Sequence, residues 1–180
     1  MNHHDMTRNM VLAALFAALT AIGAFLQIPT GTVPITLQFL FTALAGLLLG
    51  WKWGAVSQLL YVGIGLLGLF RVESTAKLSG LLGLPVFTQG GGIGYVLQPS
   101  FGFLLGLIPA AAVIGALTAR RTGYLTVLAA VLVGDLILYA VGVPYMYLIL
   151  HVYMQSAKTF PALLAAMLVY VPGDTLKIIV

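Results

Sequence analysis

Two charged residues near the end of the chain, Asp174 and Lys177, have the types and spacing best suited to ligand binding. They are three positions apart, so on a helix both side chains lie on one face and close enough to pair. A carboxylate acceptor beside an ammonium donor could bind a small polar group that carries both N–H and C=O. The same pair could instead be an ion pair that contacts lipid headgroups, and the spacing leaves both interpretations open.

A glycine-rich segment from Gly90 to Gly94 is a second candidate site. It lacks the lysine and serine of a phosphate-binding loop, and its spacing does not match a dinucleotide fingerprint. Glycines such as Gly91 allow either close approach of the backbone to a ligand or a flexible turn. Phe87 and Tyr95 flank the segment, as walls for an apolar ligand or as anchors of a loop at the membrane interface.

Polar side chains inside predicted helices give three further candidates. An acid at membrane depth should be protonated or face a polar cavity, and Tyr139 follows Asp135 by four residues on the same helix face. Gln38 lies near the start of a predicted helix and could donate to a ligand carboxylate. An interhelical hydrogen bond is the structural alternative for Gln38.

The first predicted helix carries a strip of alanines. The Ala14-x-x-x-Ala18 and Ala17-x-x-x-Ala21 spacings predict a smooth surface that another helix can approach closely. That helix could belong to this chain or to a partner protein that docks here.

The sequence contains no set of residues typical of an enzyme. His3 and His4 have no third ligand at metal-binding spacing, and no nucleophile, base and acid occur in a recognisable arrangement. We therefore expect no catalytic activity, no metal and no cofactor.

The elements that position these residues must be membrane helices. The 180 residues are 61% apolar and 7% charged, with a mean hydropathy of +1.10, whereas a soluble domain has about 25% charged residues. This composition excludes a soluble enzyme, a nucleic-acid-binding protein and a disordered chain. It predicts an all-α integral membrane protein that forms a single domain over residues 1–180.

Charges, prolines and glycines divide the chain into helices and connections. The predicted spans share an apolar composition between these breaks and cover about 9–28, 35–50, 54–70, 101–119 and 124–142. Residues 70–100 cannot span as a regular helix, so they form a long outer loop or a re-entrant segment. Short helices at the surface are expected within 143–171. A last helix starting at Pro172 brings the total to about six, and it is either short or truncated at Val180.

The basic residues predict an orientation. Lys and Arg concentrate in short cytoplasmic loops. With a cytoplasmic N-terminus, Arg8, Lys52, Arg120 and Arg121 all face the cytoplasm, and the loop at 70–100 lies outside.

Several short motifs, taken in order, resemble the BioY family, the biotin-binding S components of energy-coupling factor transporters. The resemblance covers most of the chain, and its motifs are Val33-Pro34-Ile35-Thr36-Leu37-Gln38, Ala43–Gly50 followed by Trp53-Gly54, Gly83-Leu84-Pro85-Val86-Phe87 before the glycines, Gly142-Val143-Pro144 and Pro172-Gly173-Asp174-Thr175-Leu176-Lys177.

The resemblance implies a six-helix protein of a prokaryotic cell membrane that binds biotin from outside. It also implies a transmembrane coupling subunit and two cytoplasmic ATPase subunits as partners. Asp174 and Lys177 match the closing motif, which implies that they contact the ligand, and the alanine strip looks like the one such components use against the coupling subunit.

Two segments depart from the family pattern. About 70–82 looks inserted, and Gln98–Phe103 differs from the expected motif. Two alternatives therefore stay open: the substrate is another small vitamin, or the protein has a purely structural role in assembly.

Overall fold

The fold is built from helices and one very short β-ribbon. In the computed structural model, the described residues are 3–28, 35–67, 86–87, 91–120, 123–155 and 159–167. The helical elements, in chain order, are α1 (His3–Phe25), α2 (Gln38–Leu67), a 3₁₀ helix (Ile93–Leu97), α3 (Phe101–Thr118), α4 (Tyr124–Leu148), a π-helical turn (Ile149–Tyr153) and α5 (Phe160–Met167). The ribbon pairs β1 (Gln27–Ile28) with β2 (Ile35–Thr36) in antiparallel fashion.

Four helical stretches in the described part of the chain are long and apolar enough to cross a membrane. They are His4–Phe25, Gln38–Leu67, Phe101–Thr118 and Tyr124–Tyr153. The helical membrane architecture expected from the sequence is therefore confirmed. The count of six helices and the outer loop stay predictions, because 68–85, 88–90 and 168–180, including the helix predicted at Pro172, lie outside the described residues.

The chain reverses direction within α2 at Gly50. This residue has φ 75° and ψ 179°, a conformation that is essentially restricted to glycine. A Cβ atom on Gly54 would stand 2.9 Å from the Cα atom of Gly46, whereas eight residues of straight helix span about 12 Å. α2 is therefore an antiparallel pair of helices. The predicted break between two helices is confirmed, but it occupies a single residue rather than 50–54.

The first helix differs from its predicted bounds at both ends. α1 begins at His3 rather than at residue 9, with Asp5 in its first turn, where the helix dipole favours an acid. It ends at Phe25 rather than at 28 because Gln27 and Ile28 pair with Thr36 and Ile35 in the ribbon. The pairing also delays the start of α2 to Gln38.

The prediction that a helix stops before Pro144 is wrong, since α4 continues through this proline to Leu148. Proline removes one intrahelical hydrogen bond, but membrane helices tolerate it where neighbouring helices hold the backbone. Here Gly142 packs against the ring of Phe103, and Tyr145 packs against Gly102 of α3. Contacts with α3 on both sides of the proline therefore keep the segment helical.

The short helix α5 falls within the region where surface helices were expected. Its Leu163 and Met167 are nevertheless buried, in a cluster with Val143, Met146 and Leu150. A larger cluster joins α1, α2, α3 and α4, and Phe39, Tyr61, Leu107 and Ile114 are among its members. α5 therefore contributes to the interior instead of lying on the surface alone.

Candidate functional site

The helix bundle has two ends that differ in structure. At the first, which we call the ribbon end, the backbone N–H of Leu37 donates to the carbonyl of Gly23 over 3.1 Å and that of Gly92 donates to Gly65 over 2.7 Å. The C-terminus of α1, both termini of α2 and the N-terminus of α3 therefore lie at this end. At the other, the reversal end, Gly115 of α3 packs against the turn at Gly50.

Basic side chains lie at the reversal end. Arg8 is in the early turns of α1, Lys52 follows the turn at Gly50, and Arg120 follows α3. The Nζ atom of Lys52 lies 5.2 Å from the ring centroid of Trp51. Three of the residues predicted to face the cytoplasm are thus on the same side of the bundle, while Arg121 lies outside the described residues.

Gln38 begins α2 at the ribbon end and bonds across the helix pair. Its Nε2 donates to the hydroxyl of Tyr61 over 2.5 Å, and its Oε1 accepts from the hydroxyl of Thr36 over 2.9 Å. The side chain is buried. The structure therefore supplies the interhelical hydrogen bond that was one of the two interpretations of Gln38.

Phe87 lies in a recess on the second half of α2. Its side chain is completely buried, and its ring fills the space that a side chain on Gly65 would occupy. Tyr61, one turn earlier, meets the ring edge-on at 5.6 Å between centroids and donates its hydroxyl to the carbonyl of Val86 over 3.2 Å. A buried ring and a hydrogen bond thus fasten the Val86–Phe87 segment to α2.

Two glycines of the glycine-rich segment, Gly91 and Gly92, allow close packing of backbones. Gly92 has φ 88°, which favours glycine, and its N–H reaches the carbonyl oxygen of Gly65. A Cβ atom on Gly91 would stand 3.2 Å from the same oxygen. The backbone of these two glycines thus approaches α2, and the close approach to a ligand stays a prediction.

Aromatic rings form a continuous group at the ribbon end. The ring of Phe87 is 4.7 Å from that of Tyr95 and 6.4 Å from that of Phe101. Phe101 in turn lies 5.9 Å from Tyr145 of α4, whose hydroxyl donates to the carbonyl of Val96 over 2.5 Å. The structure therefore brings together Phe87 and Tyr95, two of the predicted site residues, and adds rings from α3 and α4.

Asp135 and Tyr139 lie on α4, one turn apart. Tyr139 meets the ring of Phe103 edge-on at 5.9 Å and packs against the smaller cluster of α4 and α5. Asp135 is half-buried. α3 lies between the two candidate sets, since Phe101 belongs to the aromatic group and Phe103 contacts Tyr139.

A buried polar cluster inside α1 and α2 was not predicted from the sequence. The amide of Gln58 donates to Thr20 of α1 over 3.3 Å and to Ser57 over 3.1 Å, and its Oε1 accepts from Thr42 over 3.1 Å. All four side chains are completely buried. The signal in the sequence was two adjacent polar residues, Ser57 and Gln58, within an otherwise apolar helix.

The alanine strip of α1 lies at the border between the buried and the exposed face of the helix. Ala17 is 4% exposed within the main core, and Ala21 packs against that core. Ala14 and Ala18, on the same side of the helix but farther from the core, are exposed. Docking of a partner on the strip stays a prediction; the fold of this chain covers Ala17 and leaves Ala14 and Ala18 accessible.

Asp174 and Lys177, the first candidate pair, lie outside the described residues, so their place relative to the aromatic group stays a prediction.

The apolar helices, the internally bonded polar side chains and the basic residues at one end define a multi-pass α-helical membrane protein. The chain belongs to the BioY family, whose sequence model matches residues 1–73 and 77–180.

Individual relatives agree with this assignment. The chain is 49% identical over 156 residues to a probable biotin transporter BioY of Lysinibacillus sphaericus. The aligned region covers 86% of this chain and 72% of the relative. It is 33% identical over 174 residues to a biotin transporter BioY of Thermotoga maritima, with 96% and 90% coverage. A crystal structure of the S-component for biotin from an ECF-type ABC transporter has a TM-score of 0.79 and 27% identity, covering 99% of this chain and 89% of that chain.

Proposed function

We propose that this chain is the membrane subunit that captures biotin for an uptake transporter of the ECF type. The observation that carries the proposal is the similarity to the solved S-component for biotin, which extends over 99% of this chain. The relatives named as biotin transporters support the same substrate. The proposed role is ligand capture and transport without chemical conversion of the ligand.

We place the biotin site at the ribbon end. Biotin has a cyclic urea with two N–H donors and one carbonyl acceptor, which the carboxylate of Asp174 and the ammonium of Lys177 complement. Aromatic side chains such as Phe87 and Tyr95 suit its thiophane ring and valeryl chain. Gln38 is proposed as a donor to the ligand carboxylate, since its amide has a second N–H beyond the one given to Tyr61.

The boundary of the site includes backbone and α4. Gly91 supplies backbone without a side chain, and Tyr139 forms the α4 side. Asp135 is a proposed site residue deeper in the bundle, since its neighbour Gly134 packs against Ile114 of α3.

Tyr145 of α4 already belongs to the aromatic group through Phe101. Tyr139 lies six residues earlier on α4 against Phe103. The α4 side of the proposed site therefore extends from Tyr145 toward Tyr139.

The proposed orientation places the ribbon end outside and the reversal end in the cytoplasm. It is supported by Arg8, Lys52 and Arg120 at the reversal end, since cytoplasmic loops are enriched in Lys and Arg. The two antiparallel halves of α2 count as separate spans in this proposal, and the segment from Pro172 adds the last of six. The membrane is the cell membrane of a prokaryote.

A transmembrane coupling subunit and two cytoplasmic ATPase subunits are the proposed partners. The exposed pair Ala14 and Ala18 is the proposed contact with the coupling subunit, because small residues four positions apart let helices approach closely.

Equilibrium binding of labelled biotin to the purified full-length chain tests the function. Unlabelled biotin should displace the label, whereas lipoic acid, which has an apolar sulfur ring and a carboxylate tail but no urea, should not. Displacement by a different vitamin and not by biotin would favour another substrate. Absence of any saturable binding in folded protein would leave a structural role in assembly.

A further inference from the structure

Tyr61 is the point where three separate stretches of chain meet. Its side chain is 1% exposed. Its hydroxyl accepts from Gln38 at the start of α2 and donates to the carbonyl of Val86, while its ring contacts Phe87. One hydroxyl thus bonds partners that are 23 and 25 residues away in sequence.

Gln38 extends this connection to the ribbon. Its Oε1 accepts from the hydroxyl of Thr36 in β2. The resulting series, Thr36–Gln38–Tyr61–Val86, joins the segment before α2 to the segment that carries Phe87. Because Gln38, Tyr61 and Val86 are buried, the bonds among them are stronger than in water, and losing a partner is costly.

Gly65 holds the same segment at a second point. It lies one turn after Tyr61 on the same helix face, its missing side chain makes room for the ring of Phe87, and its carbonyl accepts from Gly92. Tyr61 and Gly65 therefore hold Val86 and Phe87, respectively, on α2.

We infer that Tyr61 is a positioning residue for ligand capture, whose hydroxyl holds the amide of Gln38 and the Val86–Phe87 segment in their places at the ribbon end. The inference rests on the proposed function, which supplies the ligand and its site. Tyr61 acts through Gln38 and Phe87, since it is buried behind both.

A thiol reporter makes the position of the segment measurable without ligand. The chain has no cysteine, and Val86 is 9% exposed, so a thiol in Val86→Cys should react slowly with maleimide while the segment is held. Tyr61→Phe removes the hydroxyl and keeps the ring. Gly65→Ala pushes against Phe87, and Gly63→Ala is its matched control because nothing lies within 4 Å of a Cβ atom there.

We expect Tyr61→Phe to raise the labelling rate of Val86→Cys by about 10-fold and the biotin Kd by about 3- to 10-fold, the range set by a hydrogen bond of ordinary strength. Gly65→Ala should change both quantities in the same direction, and Gly63→Ala should change neither. The effects of Tyr61→Phe and Gln38→Leu on Kd should be less than additive, because the two side chains act as one unit.

A purely structural role for Tyr61 makes a different prediction. It would lower the thermal midpoint of Tyr61→Phe but leave the Kd of the folded protein unaltered, and this result would overturn the inference. Unaltered labelling in folded Tyr61→Phe would overturn it as well. If the unmutated chain showed no affinity for biotin, the proposed function itself would be rejected. Failure of the inference and failure of the proposed function are therefore distinguishable.

Discussion

Gly46 and Gly54 pack backbone against backbone across the reversal of α2, and the carbonyl of Gly46 also contacts Gly115 of α3. A Cβ atom on Gly54 would stand 2.9 Å from the Cα atom of Gly46, and one on Gly115 would stand 2.7 Å from its oxygen. Three helical segments therefore meet at a point where no side chain fits. Small residues give membrane helices this kind of contact, and here they hold the turn at Gly50 against α3.

Adding a methyl group at this point should destabilise the fold. Gly115→Ala would force the backbones of Gly50 and Trp51 away from α3, and we expect a loss of about 1–3 kcal/mol in unfolding free energy. Thermal unfolding in detergent measures the effect. Gly63→Ala, in open space within a helix, should be neutral or stabilising, and equal midpoints for the two variants would contradict the packing argument.

The buried amide of Gln58 should stabilise the fold without contributing to ligand affinity. Its partners Thr20, Thr42 and Ser57 belong to α1 and α2, so Gln58→Leu removes three bonds and should cost about 1–3 kcal/mol. We expect a lower thermal midpoint with an unchanged biotin Kd. Thr20→Val combined with Gln58→Leu should show a coupling of about 0.6 kcal/mol, the average measured in a membrane protein.

Single cysteines can test the orientation cleanly, because the chain has none of its own. Lys52 at the reversal end and Ile93 at the ribbon end are both exposed, so labelling differences report sidedness and not burial. An impermeant maleimide added to whole cells should label Ile93→Cys and spare Lys52→Cys. The opposite pattern would invert the proposed topology.

The exposed alanines of α1 should mediate assembly. Ala14→Trp combined with Ala18→Trp adds bulk at the proposed contact, so co-purification with the coupling subunit should be lost while biotin binding is retained. Leu132→Trp combined with Leu136→Trp is the matched control, since these exposed residues have the same spacing on α4. If the alanine variant still co-purifies, docking occurs elsewhere.

Asp174 and Lys177 should determine the affinity for biotin. A hydrogen bond to a charged group contributes about 1.5–3 kcal/mol, so Asp174→Asn should weaken biotin binding by roughly 10- to 150-fold and leave the fold intact. Titration of labelled biotin measures this, and Asp5→Asn in the first turn of α1 is the control acid. Lower stability with unchanged affinity would instead identify Asp174 as part of a structural ion pair.

The membrane class, the start of α4 and nearly the whole of α3 were predictable from the sequence. These features depend on composition and on local breaks. A long apolar segment in a membrane forms a helix because the helix satisfies its own backbone hydrogen bonds, and glycine or charged residues mark where that helix ends. α3 was predicted at 101–119 and observed at Phe101–Thr118. The grouping of Phe87 with Tyr95 was also predictable, because the two residues flank the same short segment.

Tertiary structure decided what depends on partners distant in sequence. Pro144 ends a helix by its local chemistry, yet α4 continues because Phe103 and Gly102 of α3 pack on either side of it. The sequence could not show whether Gln38 has an interhelical partner, and only the fold brings the hydroxyl of Tyr61 within reach of its amide across the helix pair. The alanines of α1 form one strip within an arc of about 100°, since each residue of a helix turns by about 100°. Only packing shows that this chain covers Ala17 and leaves Ala14 and Ala18 exposed.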